Sequence, residues 1–407
     1  MNTTKGMMFN MNIKFSKRSD TIEASEIREL LKLIGNNNII SFGGGLPSEE
    51  TFPVEEMKVI CNEILSDYGG KSMQYSTSEG YDKLRKIIIE IMRERGINTD
   101  IDNILIISGS QQGLDLTAKA FIDEGDTILC ESPTYLSAIN AFKPFYPKFE
   151  EIFIDNEGLD PEVLEEKLKK SKNVKFLYTI PDFQNPTGVT LNFERRKSII
   201  ELANKYNILI VEDSPYSELN FTGQHLPPLK SLDTEERVIY LSTFSKIVCP
   251  GFRIGWICAS KEIIKKFVLF RQGSDLHTNI FSQMQITKFF EKYDVKAHIE
   301  KNIAIYKNRR DAMLNAIKAD FPKEVKYTEP KGGFFLWVTL PTYMDSKELL
   351  KCALKNGIAF ISGEAFFPNG GHKNTLRLNY TNISEEKIRE GIKILSDVIK
   401  ENMLKNN

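Results

Sequence analysis

The stretch Thr243-Phe244-Ser245-Lys246-Ile247-Val248-Cys249-Pro250-Gly251-Phe252-Arg253-Ile254-Gly255-Trp256 decides how the chain is read. The apolar run Val238 to Leu241 precedes it and the run Ile254 to Ala259 closes it, both with the length and β-branched content of strands. Lys246 therefore stands just past a strand, seven residues before Arg253, which puts two cations near one another at the edge of a sheet. Without an anion between them they repel. A phosphate held by Ser245 and Arg253 would resolve this and leave Lys246 free to act as a nucleophilic amine. Two solvated surface cations are the plainer alternative.

Working outward, further strand-like runs lie at Ile104 to Ile107, Thr127 to Cys130, Val174 to Ile180 and Ile208 to Val211. Helical patterns such as Leu114 to Phe121 and Phe193 to Tyr206 separate them. That alternation predicts an α/β fold with a mostly parallel sheet. Ligands of such sheets bind beyond the carboxyl ends of the strands, so the polar residues there are the ones to inspect.

After Ile107 comes Ser108-Gly109-Ser110-Gln111-Gln112-Gly113 and then a helix, a turn whose free N–H groups and helix dipole suit a phosphate. An ordinary helix cap made by Ser110 is the alternative. After Ile180 comes Pro181-Asp182-Phe183-Gln184-Asn185-Pro186-Thr187-Gly188, an irregular backbone that could present the Asn185 amide rigidly; a turn that needs Asn before Pro is the alternative. After Val211 come Glu212 and Asp213, then Ser214-Pro215-Tyr216, with a solvated surface acid as the bland reading.

The bulk properties agree with small-molecule chemistry. A chain of 407 residues with 41% hydrophobic and 27% charged residues exceeds one core, and a net charge of −1 draws it neither to nucleic acid nor to an anionic membrane. Residues 50–285 are expected to form the large α/β domain. Residues 286–407 are expected to form a smaller α+β domain, against which the segment 1–49 packs. Cys61, Cys130, Cys249, Cys258 and Cys352 are scattered, odd in number and without a C-x-x-C pair, so they are expected to be reduced. No apolar run is long enough for a bilayer and the start lacks the apolar core of a signal peptide, which leaves a cytoplasmic location as the expectation.

Together, and in order, ASEIREL, SFGGGLPSEETFP, QYSTSEGYDKLR, SGSQQGLDL, ESPTY, PDFQNPTG, VEDSPY, STFSK, PGFRIGW, PKGGFFLW and NTLRLNY resemble the fold-type I pyridoxal-phosphate (PLP) aminotransferases of class I/II. Within that group the likeness is to the 2-aminoadipate and kynurenine aminotransferase branch. The resemblance implies a seven-stranded, mostly parallel sheet in the large domain. It implies transfer of the amino group of an L-amino acid (2-aminoadipate, aromatic or aliphatic) to a 2-oxo acid, 2-oxoglutarate first, by a ping-pong mechanism through pyridoxamine phosphate.

It also implies residue roles. Lys246 carries PLP as a Schiff base and then shuttles the proton. Asp213 pairs with the pyridine nitrogen, Asn185 and Tyr216 with the ring's 3-oxygen, and Tyr135 stacks on the ring. Ser110, Gln111, Gln112, Thr243, Ser245 and Arg253 belong to the cofactor and phosphate site. Tyr75 matches a tyrosine that reaches the neighbouring subunit's phosphate, which implies a homodimer with shared active sites. Arg377 matches the arginine that clamps the substrate carboxylate. Arg28 matches a position that contacts a distal carboxylate, and Gly44 and Gly45 border the substrate.

Two rivals remain at this point. A PLP-dependent carbon–sulfur lyase of the same fold would share Lys246, Asp213 and Arg377. A PLP-sensing transcriptional regulator would need a DNA-binding domain, and no basic recognition helix fits ahead of residue 50. His225, His277, His298 and His372 lack zinc-ligand spacing; His277 is the one that the resemblance brings near the dimeric site.

Overall fold

The computed structural model describes residues 13–21 and 39–406. Strand β1 (Ile40–Ser41) comes first, followed by β2 (Ile104–Ile107), β3 (Thr127–Ser132), β4 (Lys148–Asp155), β5 (Gly158–Leu159), β6 (Val174–Thr179), β7 (Leu209–Asp213), β8 (Val238–Thr243) and β9 (Gly255–Cys258). Strands β2 to β9 form one sheet in the order β2-β9-β8-β7-β6-β3-β4-β5. From β8 to β4 all neighbours are parallel, while β9 runs antiparallel to both β8 and β2.

Among the described residues the sheet is mostly parallel, as expected, but has eight strands rather than seven. The addition is the two-residue β5, which turns back antiparallel on β4. Gly158 and Leu159 alone carry no apolar periodicity from which a strand could be read.

Strands buried on both faces read as continuous apolar runs, and β2, β8 and β9 are buried throughout. The two-residue period sorts their side chains between layers. Ile104 and Ile106 join the core beneath the helices Val54–Tyr68 and Asp82–Glu94. Leu105 and Ile107 join the opposite core with the helices Ser110–Phe121 and Lys261–Gln272.

The C-terminal part holds β10 (Lys326–Tyr327), β11 (Phe335–Thr339), β12 (Ile358–Ala359), β13 (Ile361–Ser362) and β14 (Thr375–Asn379). Four of these make an antiparallel sheet in the order β10-β11-β14-β13. The helices Val295–Asp320 and Glu385–Asn406 pack against one another beside it. β1 pairs in parallel with β12, so residues 40–41 are stitched to this C-terminal part before the chain enters the large sheet. The Phe42 carbonyl then accepts from the Asn379 N–H at 2.8 Å, which lays the segment Phe42 to Pro47 against the end of β14.

A candidate active site at the carboxyl ends of the parallel strands

Lys246 lies one short 3-10 turn beyond β8. Thr243 caps that turn, its Oγ1 accepting from the Ser245 N–H at 3.2 Å. The same oxygen is 2.8 Å from Ser245 Oγ and 3.0 Å from the Ile254 carbonyl, so Thr243 ties the turn to the strand that follows. Lys246 Nζ donates to the Gly45 carbonyl at 3.1 Å and sits 5.1 Å from the Phe334 ring centroid. Burial, with the positive charges of Arg377 and Arg253, lowers the amine to about 8, against a weaker pull from Asp213. An amine so placed is a ready nucleophile near neutral pH.

Asp213 ends β7 and Glu212 precedes it, so the two carboxyls leave opposite faces of the sheet. Glu212 is absorbed by structure, accepting from the Leu229 and Lys230 N–H groups at 2.9 and 2.8 Å. Asp213 Oδ2 accepts from the Tyr178 hydroxyl at 2.9 Å, while its Oδ1 is buried with no partner among the described residues. Burial raises this carboxyl to about 7 against the opposing effects of Tyr178 and Lys246.

Asn185 and Arg377 meet directly. Arg377 Nη1 donates to Asn185 Oδ1 at 2.9 Å and Nη2 donates to the Gly43 carbonyl at 2.8 Å, leaving Nε buried without an acceptor among the described residues. The guanidinium lies 4.0 Å from the Phe335 ring centroid and 5.0 Å from that of Phe366, and burial lowers it to about 10. The loop that carries Asn185 is pinned by its neighbour. Gln184 Nε2 donates to Glu131 Oε2 at 3.0 Å and to the Pro133 carbonyl at 2.8 Å, and its Oε1 accepts from the Thr187 N–H and hydroxyl at 2.9 and 2.7 Å. Tyr216 is buried beside this loop, where burial holds its phenol above the ordinary value against a hydrogen bond with Asn185.

The turn after β2 makes the third wall. Gly109 caps the helix Ser110–Phe121 with φ 79°, a conformation that side chains rarely adopt, and a Cβ there would stand 2.5 Å from Arg253 Nη2. Gly255 likewise lets β9 close on this turn, since a Cβ would meet the Ser242 carbonyl at 2.6 Å and Gly109 Cα at 3.1 Å. The guanidinium of Arg253, held exposed at the surface, donates through Nη2 to the Ser108 carbonyl at 3.1 Å. Ser110 does not cap the helix, the alternative the sequence left open: its Oγ is buried and unpartnered among the described residues.

The structure therefore gathers Lys246, Asp213, Asn185, Tyr216, Arg377 and Gly45 by direct contact or shared field, with Ser110 on the turn after β2 and Thr243, Ser245 and Arg253 between β8 and β9. Gly44 lies between the two glycines whose carbonyls hold Arg377 and Lys246. Tyr135, half-buried at the start of the helix Leu136–Phe142, has its phenol raised by burial first and by the Asp213 charge, while Arg377 and Arg253 pull it down. Gln111 donates to the Ser137 carbonyl at 3.1 Å. Both ends of the Gln112 amide are engaged, by the Ser108 N–H at 2.8 Å and by Asp275 at 2.7 Å. Tyr75 is 80% exposed, its ring edge-on to His277 at 5.8 Å. Arg28 lies outside the described residues. Reading the sequence missed Tyr178, Gly43 and Glu131; a tyrosine inside the run VKFLYT was the one visible signal.

Aminotransferase class I and II, as a family, matches residues 37–395. The chain belongs to this family. It is 50% identical over 396 residues to aromatic-amino-acid aminotransferase 1 of Thermococcus litoralis, covering 96% of this chain and 95% of that one. Among solved structures it matches the kynurenine aminotransferase of Pyrococcus horikoshii, in complex with PMP, at 46% identity and a TM-score of 0.94, over 98% of this chain and 100% of that one. It also matches the alpha-aminoadipate aminotransferase of Thermus thermophilus, complexed with N-(5'-phosphopyridoxyl)-L-leucine, at 40% identity and a TM-score of 0.90, over 96% and 98% of the two chains.

This aminotransferase is thus a PLP-dependent enzyme whose substrates are amino and oxo acids. Its residues fit the cofactor. The unpartnered Asp213 Oδ1 is an acceptor for a ring N–H, and the unpartnered Ser110 Oγ stands at a helix start beside Arg253, where a phosphate is favoured.

Proposed function

We propose that the enzyme transfers the amino group of an L-amino acid, aromatic donors foremost with 2-aminoadipate and aliphatic amino acids also accepted, to 2-oxoglutarate in a ping-pong cycle at one site. The observation that carries this is the buried Arg377 fork, held by Asn185 and Gly43 with Nε left open, within the same cluster as the depressed amine of Lys246. Donor and acceptor both bear a carboxylate beside the reacting carbon, so one arginine serves both half-reactions. The aromatic preference is supported by the name of the 50% identical relative.

PLP, when bound, supplies an aldehyde for the amine exchange and a ring that takes up electrons from the substrate carbon. Asp213 would pair with the ring nitrogen through Oδ1, and Asn185 and Tyr216 would hydrogen-bond the 3-oxygen. Ser110, Gln111, Thr243, Ser245 and Arg253 would form the phosphate end, with Gln112 bracing the turn from behind. Tyr135 would lie on the ring face. Lys246, released from the Gly45 carbonyl, would hold and return the substrate proton at Nζ. Gly44 and Gly45 would border the substrate, and Arg28 would meet the distal carboxylate of a longer donor.

We further propose a homodimer, in which the exposed Tyr75 completes the partner's phosphate site, and a cytoplasmic location, which five free cysteines fit. The division into a domain over 50–285 and another over 286–407 joined by 1–49 is supported by the separate eight- and four-stranded sheets. A panel of amino donors assayed with 2-oxoglutarate tests the function. The expected result is glutamate formation, with kcat/KM highest for aromatic donors; release of ammonia and pyruvate from a sulfur amino acid instead would identify a lyase.

A further inference from the structure

Tyr178 is a fully buried tyrosine that follows the buried apolar residues Phe176 and Leu177 in β6. In the register of the parallel pair it stands opposite Val211, and Asp213 is two residues further on the same face of β7. That diagonal lets the hydroxyl reach Asp213 Oδ2 at 2.9 Å. The ring is held edge-on by Phe142, with centroids 5.8 Å apart, so the hydroxyl has little freedom to turn elsewhere. Burial and the neighbouring carboxylate both push the phenol well above its ordinary value, which keeps the hydroxyl a donor. The carboxylate it meets has one oxygen satisfied and one buried and open.

We propose that Tyr178 is a positioning residue for the cofactor: its hydroxyl occupies Asp213 Oδ2, keeps the carboxyl in its acceptor form, and leaves Oδ1 as the oxygen that receives the ring N–H. This rests on the reading of Asp213 as the ring-nitrogen partner. A hydroxyl lost from this spot leaves both carboxylate oxygens without a donor in a buried site, which favours the protonated acid and weakens the ionic pairing with the ring.

The test compares two ligands and two proteins. Apoenzyme is titrated, by quenching of its intrinsic fluorescence, with PLP and with the analogue in which carbon replaces the ring nitrogen. Wild-type protein is expected to prefer PLP. In Tyr178→Phe, which keeps the ring's packing on Phe142 and so the fold, the affinity for PLP should fall about tenfold while that for the analogue is unchanged. With cofactor bound, kcat should fall by a similar factor and KM for the amino donor should stay constant. Equal losses for both ligands, or no loss for either, would overturn the proposal. Wild-type protein that does not discriminate the ligands would overturn the role of Asp213 first and that of Tyr178 with it.

Discussion

Arg377 Nη1 donates to Asn185 Oδ1 across 2.9 Å, so the group proposed to clamp the substrate and the group proposed to hold the cofactor's 3-oxygen are bonded to one another. Removing the Asn185 amide leaves one prong of the Arg377 guanidinium without its acceptor. Asn185→Ala should therefore weaken donor binding as well as cofactor contacts, raising KM for every amino acid about tenfold, the scale of a lost hydrogen bond to a charged group. Steady-state kinetics on three unrelated donors check this; a change confined to one donor would place Asn185 in side-chain selection instead.

Arg377→Lys should be nearly as harmful as Arg377→Ala, with KM raised roughly 30-fold or more. A point charge replaces neither the two-pronged hold on Asn185 and Gly43 nor the Nε–H left for substrate. The loss should fall on KM across the donor panel, and a variant that rescues with lysine would show that charge alone suffices.

Gly109→Ala forces a side chain into φ 79° and onto the Arg253 guanidinium. The expected outcome is a folded protein destabilised by about 1–2 kcal/mol, with PLP affinity lowered at least tenfold and inorganic phosphate no longer competing for the site. Thermal melts and fluorescence titration separate the two effects.

Burial holds Asp213, Glu131 and Glu212 up to about 7 each. A carboxyl whose folded value lies above its unfolded value, about 4, keeps its proton longer in the folded chain. Folding then takes up protons between about pH 4 and 7, and stability falls as pH rises through that window. The apoenzyme should melt at a lower temperature at pH 8 than at pH 5.5. Glu131→Gln removes one of these titrations, and because the Thr179 hydroxyl can turn to accept, it should flatten the decline rather than unfold the chain.

Much of this was legible beforehand for a physical reason. Strands buried on both faces, such as Val238–Thr243, are mostly apolar, and the residues just past them are freed for chemistry, which is why Lys246, Asp213 and Asn185 could be singled out by position. Lys148–Asp155 escaped notice because KFEEIFID has solvent on part of its surface and carries charge accordingly. The contacts that tune the site were not legible. Tyr178 to Asp213, Gly43 to Arg377 and Glu131 to Gln184 join residues from 35 to 334 positions apart, a pairing that only strand register and loop closure determine. The alternative of Ser110 as an ordinary cap fails because Gly109, with its left-handed backbone, already fills that place.

Lys246, lowered to about 8 by burial and by Arg377 and Arg253, should capture the cofactor covalently at a rate that climbs through pH 8. The most direct measurement is borohydride reduction of the PLP-loaded enzyme followed by peptide mass spectrometry. The reduced phosphopyridoxyl group should be found on Lys246 alone, with Lys246→Ala unlabelled and inactive. Label on another lysine, or full turnover by Lys246→Ala, would contradict the assignment of this amine as the one that carries the chemistry.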